Sequence, residues 1–203
     1  MAWTIPAQAV PGFIRDAAGR IKFVQVMSSG FGETAHGEKL QQDLIAAGKE
    51  TGTRIIGPNC IGIHSPRGKL ALVDGAMEPG GVAFLSQSGG LSFDVLRRGN
   101  VMGLKFSGVV SLGNCADIGP NDLLEYFLED PETKVIGLYL EHVRRGRRLF
   151  EQLRSAGAKK PVIILKGGQT SQGQRAAASH TGSLVDDNRI WDAVIRQTGS
   201  IRT

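Results

Sequence analysis

The 203-residue chain is poor in cysteine and in aromatic residues: it has two cysteines, two tryptophans and two tyrosines, and only 6% of its residues are aromatic. Two cysteines cannot form the disulfide framework of a chain this size, and neither has metal-ligand neighbours at a useful spacing. No apolar run approaches the roughly 18 residues of a membrane span. The N-terminus has no basic segment leading into an apolar stretch and a small-residue cleavage site, so no secretory signal is expected. These absences point to a soluble protein of a reducing compartment, with the cytoplasm as the expected location and no membrane partner. Aromatics are scarcest where the chain is most basic. The net charge of +5 comes mostly from Arg144 to Arg175, where Phe150 is the only aromatic residue. A nucleic-acid surface would interleave stacking residues with those charges. A solvated helix face explains the basic run better, and no nucleic-acid partner is expected.

Glycine is what the chain has in excess, at 28 positions, about twice the average share of roughly 7%. The glycines follow no three-residue period, which excludes collagen. The 41% apolar fraction is too high for a disordered chain. The length suits one large domain or two small ones with a real core.

Along the chain, apolar strands alternate with helices. Gly12 to Ala18 reads as a short helix with Pro11 in its first turn, and Lys22 to Met27 as a strand. Glu38 to Thr51 is an amphipathic helix, and Arg54 to Ile56 a strand that runs into Gly57-Pro58-Asn59-Cys60. Ile63 to Gly81 is rich in glycine and proline and reads as a domain junction. From there the spacing predicts strands over Val82–Leu85, Phe106–Leu112, Val135–Leu140 and Val162–Leu165. Helices are predicted from the Ser86–Gly90 turn to Arg98, over Asn121–Leu128 with Asn121 as N-cap, over Arg145–Ala156 and over Asn188–Gln197. Such an order implies a parallel sheet covered on both faces, with its functional residues beyond the carboxyl ends of the strands.

Four segments fall at that edge: Ser86 to Gly90, Gly113 to Asp117, Glu141-His142, and Gly167 to Gly182. Ser86, Gln87, Ser88, Gly89 and Gly90 open a helix, where backbone N–H groups and the helix dipole attract an anion. The alternative is an ordinary serine-capped turn. The polar loop Gly167 to Gly182 is longer than packing requires and carries His180. A lone loop histidine is commonly just a polar residue. Opposite an anion-binding helix start, however, its imidazole could attack phosphorus. Glu141 could orient that imidazole, or it could form a surface ion pair with Arg144 or Arg145.

These residues lie in motifs that resemble the NDP-forming (ADP-forming) acyl-CoA synthetases of the succinyl-CoA synthetase superfamily. The carrying segments include Ile56-Gly57-Pro58-Asn59-Cys60-Ile61-Gly62, Phe84-Leu85-Ser86-Gln87-Ser88-Gly89, Leu112-Gly113-Asn114 and Asp130 to Ile136. Tyr139-Leu140-Glu141, Pro161 to Gly167 and Arg175 to Gly182 follow in family order. The resemblance implies a flavodoxin-like doubly wound parallel α/β sheet over residues 80–203. It also implies that residues 1–79 form the C-terminal half of a Rossmann-type CoA-binding domain. The implied reaction converts acyl-CoA, phosphate and a nucleoside diphosphate into acid, CoA and a nucleoside triphosphate through a phosphorylated histidine. His180 matches that histidine and Glu141 its assisting glutamate. Ser86 to Gly90 matches the phosphate-stabilising helix start, with Ser86 and Ser88 as the expected contacts. Gly57 to Cys60 matches the segment beside the CoA thiol.

The resemblance further implies coenzyme A, and ATP or ADP with Mg held by an ATP-grasp portion that lies outside this sequence, as does the CoA phosphate-binding turn. The chain is therefore expected to be a fragment or subunit working in an oligomer with an ATP-grasp partner. Two other readings stand beside this one. A serine hydrolase would use Ser88, His180 and Asp117 or Asp122, but its nucleophile elbow needs glycine where this chain has Ser86. A non-catalytic CoA-binding regulatory module would resemble relatives that lack the histidine.

Overall fold

The structure, a computed structural model, describes residues 2–3, 5–73, 77–156, 159–168 and 188–203. Strands β1 (Ala2–Trp3), β2 (Phe23–Val26) and β3 (Arg54–Ile56) form a small parallel sheet in that order. Helices α1 (Val10–Asp16) and α2 (Glu38–Thr51) accompany it. On α2, Gln41, Leu44, Ala47 and Gly48 are buried at spacings of three and four, so a single face of the helix turns inward. Leu44 and Ala47 pack with Val10, Ile14, Val26, Phe31 and Ile55.

The second sheet contains β4 (Ile63–His64), β5 (Val82–Ser86), β6 (Phe106–Ser111), β7 (Val135–Leu140), β8 (Val162–Lys166) and β9 (Ile201–Arg202). Their spatial order is β4-β6-β5-β7-β8-β9, with every pairing parallel except that of β4 with β6. Setting β4 aside, the five parallel strands follow the flavodoxin-like order, and the order reverses between β5 and β7. Helices α3 (Gly89–Val101), α4 (Pro120–Glu129), α5 (Gly146–Ala156) and α6 (Asn188–Thr198) connect them. Leu124, Phe127, Leu149, Leu153 and Trp191 pack against Leu85, Ile136, Leu138 and Ile164 on one face. Leu96 of α3 joins Phe84, Phe106 and Val109 on the other. Burial on both faces explains why these strands read as nearly continuous apolar runs.

Several local expectations are corrected. The first helix starts at Val10 rather than Gly12, with Pro11 in its first turn as expected. The N-cap of α4 is Gly119, whose N–H donates to the Asp122 carboxylate at 3.0 Å. Asn121 lies inside the helix, where its amide donates to Gln152 Oε1 at 2.9 Å. The stretch read as a junction contains β4, which pairs Ile63 with Val110 and His64 with Val109. Strands β1 and β9 were also unexpected. Two-residue strands carry no alternation for a sequence reading to detect.

The loop after β6 joins the two sheets. The Ala116 and Asn114 N–H groups donate to the Gly57 and Pro58 carbonyls, both at 2.9 Å, and the Ile118 N–H donates to Ile55 O at 3.0 Å. This approach requires glycine at 113, where φ is +55° and a Cβ would lie 2.1 Å from the Pro58 oxygen. Asp117 accepts from Arg54 at 2.8 and 3.1 Å and from the Ile55 N–H at 2.8 Å.

These two sets of bonds differ in kind. The ion pair is half exposed and worth under about 1 kcal/mol, whereas removing the carboxylate strands a backbone donor beside a buried residue. Urea unfolding is therefore expected to show a loss of about 2 kcal/mol for Asp117→Ala and clearly less for Arg54→Ala. Equal losses would contradict this account of the joint.

Candidate functional site

The carboxyl ends of β5 and β7 flank the point where the strand order reverses, and the chain leaving each carries polar groups. At the end of β5 the Ser86 hydroxyl is fully buried. It accepts from the Ser88 N–H at 3.1 Å and donates to the Ser88 carbonyl at 2.8 Å. Ser88 caps α3, its Oγ accepting from the Leu91 N–H at 3.3 Å. The two serines thus build the turn from which α3 starts. The N–H groups of Gly89 and Gly90 remain at the helix start, with no acceptor among the described residues. Gly90 is exposed with open space where a side chain would be, so an anion can reach these donors.

Gln87 ties the end of β5 to β7. Its backbone N–H donates to Tyr139 O at 3.2 Å, and its buried side chain turns to the chain leaving β7. There Oε1 accepts from the Glu141 N–H at 2.6 Å and the His142 N–H at 3.0 Å. Nε2 donates to His142 O at 3.0 Å and to Cys115 Sγ at 3.4 Å. Every polar group of Gln87 that was assigned to the anion is engaged inside the protein.

Glu141 therefore has a fixed backbone beside the α3 start. Its side chain lies beside the Tyr139 hydroxyl, both facing Gly167. Burial, then the neighbouring Glu141 charge, push the Tyr139 hydroxyl up to about 12, so it stays protonated. Glu141 forms no ion pair with Arg144 or Arg145 among the described residues, which argues against the surface-pair alternative. Gly167, just past β8, permits the close packing here: a Cβ on it would lie 2.9 Å from Tyr139 Oη and 3.3 Å from Glu141 Cγ. His180 and most of the Gly167–Gly182 loop, from residue 169 onward, lie outside the described residues.

The Gly57–Cys60 turn faces the loop after β6. Asn59 donates from its N–H to Ser28 O at 3.0 Å and from its amide to Asn114 Oδ1 at 3.3 Å. Asn114 in turn donates to Glu33 and Gln41. Burial opposes the charge on Glu33, but hydrogen bonds from Asn114, Gly30 and Phe31 hold its carboxyl below the ordinary value. Cys60 points into the core, its thiol donating to Val26 O at 3.3 Å.

Asp117 and Asp122, the candidate acids of a hydrolase triad, are engaged by Arg54 and by Gly119 and Arg148 respectively. Among the described residues no cluster of His, Cys, Asp or Glu could hold a metal, and no helix is long and apolar enough to cross a membrane. A cavity of about 740 Å³ lies elsewhere, between β4, β6 and α4, lined by Ile63, Val110, Leu123, Tyr126 and Phe127. Tyr139 and Lys166 take no part in the sequence reading of the site. The available signals were a tyrosine on the same strand face as Glu141 and a lysine closing an apolar strand before Gly167-Gly168.

Burial pushes the Cys60 thiol up to about 12 and the Cys115 thiol to about 11, against an ordinary value of 9.0. At pH 8 the folded Cys60 would hold about a thousandfold less thiolate than the unfolded chain. A disulfide reagent should therefore label neither thiol in the native protein and both after denaturation. Rapid labelling of native Cys60 would contradict its placement.

Comparison with known proteins adds four findings. The family model of the succinyl-CoA ligase like flavodoxin domain matches residues 79–203. The alpha subunit of ADP-forming acetate–CoA ligase I from Pyrococcus furiosus is 39% identical over 202 residues, covering 98% of this chain and 44% of that protein. The ADP-forming 4-hydroxybutyrate–CoA ligase of Nitrosopumilus maritimus is 34% identical over 90% of this chain and 27% of its own. Among solved structures, the dinucleotide-forming acetyl-coenzyme A synthetase 1 of Ca. Korarchaeum cryptofilum, in complex with phosphate and ADP, superposes with a TM-score of 0.91. It is 36% identical and covers 100% of this chain and 44% of that one. The chain thus spans less than half the length of these relatives.

Proposed function

The chain belongs to the succinyl-CoA ligase like flavodoxin family, and on that premise we propose that it is the phosphoryl-carrying part of an NDP-forming acyl-CoA ligase. In this reading residues 1–79 are part of a CoA-binding domain and residues 80–203 are the flavodoxin-like domain. Phosphate attacks the acyl-CoA carbonyl and the thiolate of CoA leaves, giving an acyl phosphate. His180 then attacks phosphorus, the P–O bond to the acyl group breaks, and the free carboxylate departs. A nucleoside diphosphate oxygen finally takes the phosphoryl group from the histidine.

The observation that carries this reading is the pairing, across the β5–β7 crevice, of unengaged Gly89 and Gly90 N–H groups with the Glu141 side chain, whose backbone N–H is held by Gln87. The helix start receives the phosphoryl oxygens, and Ser88 borders them. Ser86 and Gln87 support the turn from below. Glu141 accepts a hydrogen bond from one imidazole nitrogen of His180, which leaves the other with its lone pair toward phosphorus. The Gly57–Cys60 turn bounds the CoA thiol end by its shape, since its sulfur is directed into the core.

Coenzyme A and phosphate are the small-molecule partners. ATP or ADP with Mg is held by an ATP-grasp portion, domain or subunit, in an oligomeric enzyme. Two buried free thiols suit a reducing, cytoplasmic setting.

The test uses the chain assembled with its ATP-grasp portion, radiolabelled phosphate and acyl-CoA. Wild type should acquire acid-labile, base-stable label, and His180→Ala should acquire none. Glu141→Gln should label about a hundredfold more slowly, within the usual range for losing an acid–base group. Label that persists in His180→Ala would defeat the proposal.

A further inference from the structure

The ladder between β7 and β8 ends with the Gly167 N–H donating to Leu140 O at 2.8 Å. Beyond that bond the chain passes Glu141 on one side and Gly167 on the other. Lys166 reaches across this opening. Its Nζ donates to Glu141 O at 2.8 Å and to Gly167 O at 3.0 Å, and lies 5.9 Å from the centre of the Trp191 ring. The residue is 3% exposed.

Lysine is almost never this buried without partners, because losing water around an ammonium is costly. An apolar side chain of similar length would fill the same space without that cost. What it could not supply is a pair of charge-assisted hydrogen bonds to two carbonyls on separate strands. The two peptide groups flanking Glu141 are thereby each held, the N–H before it by Gln87 of the β5 end and the C=O after it by Lys166 of β8.

We infer that Lys166 is a positioning residue for the phosphoryl-transfer centre, where its ammonium locks the Glu141 and Gly167 carbonyls at one separation. This fixes the Glu141 carboxylate relative to the root of the segment that follows β8. The inference rests on the ligase reading above. It assigns Lys166 no contact with the reacting phosphorus, so its removal should alter the rate and leave ligand binding intact.

The assembled enzyme is compared as wild type, Lys166→Met and Lys166→Arg, measuring the rate of acid-labile labelling, the KM values for acyl-CoA and phosphate, and the Tm. Lys166→Met should label about tenfold more slowly, the scale of a modest misplacement of a catalytic group, with both KM values within about twofold of wild type. Lys166→Arg keeps charge and donors and should fall between the other two. Should the methionine variant fail to fold, the arginine variant carries the test, and its rate must lie below wild type at unchanged KM. Wild-type labelling rates in the variants that fold overturn the inference. So does a loss of rate that tracks a falling Tm equally in both. Absence of label from the wild-type enzyme would overturn the ligase reading instead.

Discussion

The buried carboxamide of Gln87 is the constraint on which the rest of the site depends. One oxygen accepts two consecutive N–H groups, from Glu141 and His142, while the amide nitrogen returns to the His142 carbonyl. A polar group sealed in the interior is costly unless its bonds are complete, so the chain leaving β7 has one arrangement that satisfies it. The same residue is fixed to β7 by its own N–H. The start of α3 and the Glu141 turn therefore cannot move independently. The start of α3 and the Glu141 turn are held together by a side chain that is itself buried.

The supporting structure extends outward from that point. The loop after β6 bonds to the Gly57–Cys60 turn and to β3, with Asn114 linking further to Glu33 and Gln41. Movement of the small sheet would therefore be felt at the carboxyl edge of the large one. In the proposed ligase, this joint keeps the Gly57–Cys60 turn in register with the start of α3.

Much of this was legible in the sequence. Glycine at strand ends, apolar runs of four to six residues and a helix opening on Ser-Gln-Ser-Gly-Gly are local features, and local patterns survive folding. The bounds of α2, β3 and β7 follow from them directly. The short strands β4 and β9 did not, because their existence depends on pairing with β6 and β8 rather than on their own residues. The roles of Gln87 and Lys166 were hidden for the same reason. Both are polar residues at strand ends, as ligand contacts are, and only their long-range partners show that they bond to backbone. Asn121 was read as a cap from its identity, but Gly119 fills that place because Asp122 supplies the missing acceptor. His180 was read from its place in the long polar loop and from its motif, and it lies outside the described residues.

The central claim is that the helix start after β5 presents its unengaged N–H groups to phosphate. Amide NMR of the nitrogen-15-labelled chain, titrated with inorganic phosphate, tests it most directly. The account predicts saturable shifts centred on Gly89 and Gly90, with Glu141 and His142 following through Gln87. Shifts centred on another part of the chain, or none at these glycines, would contradict it.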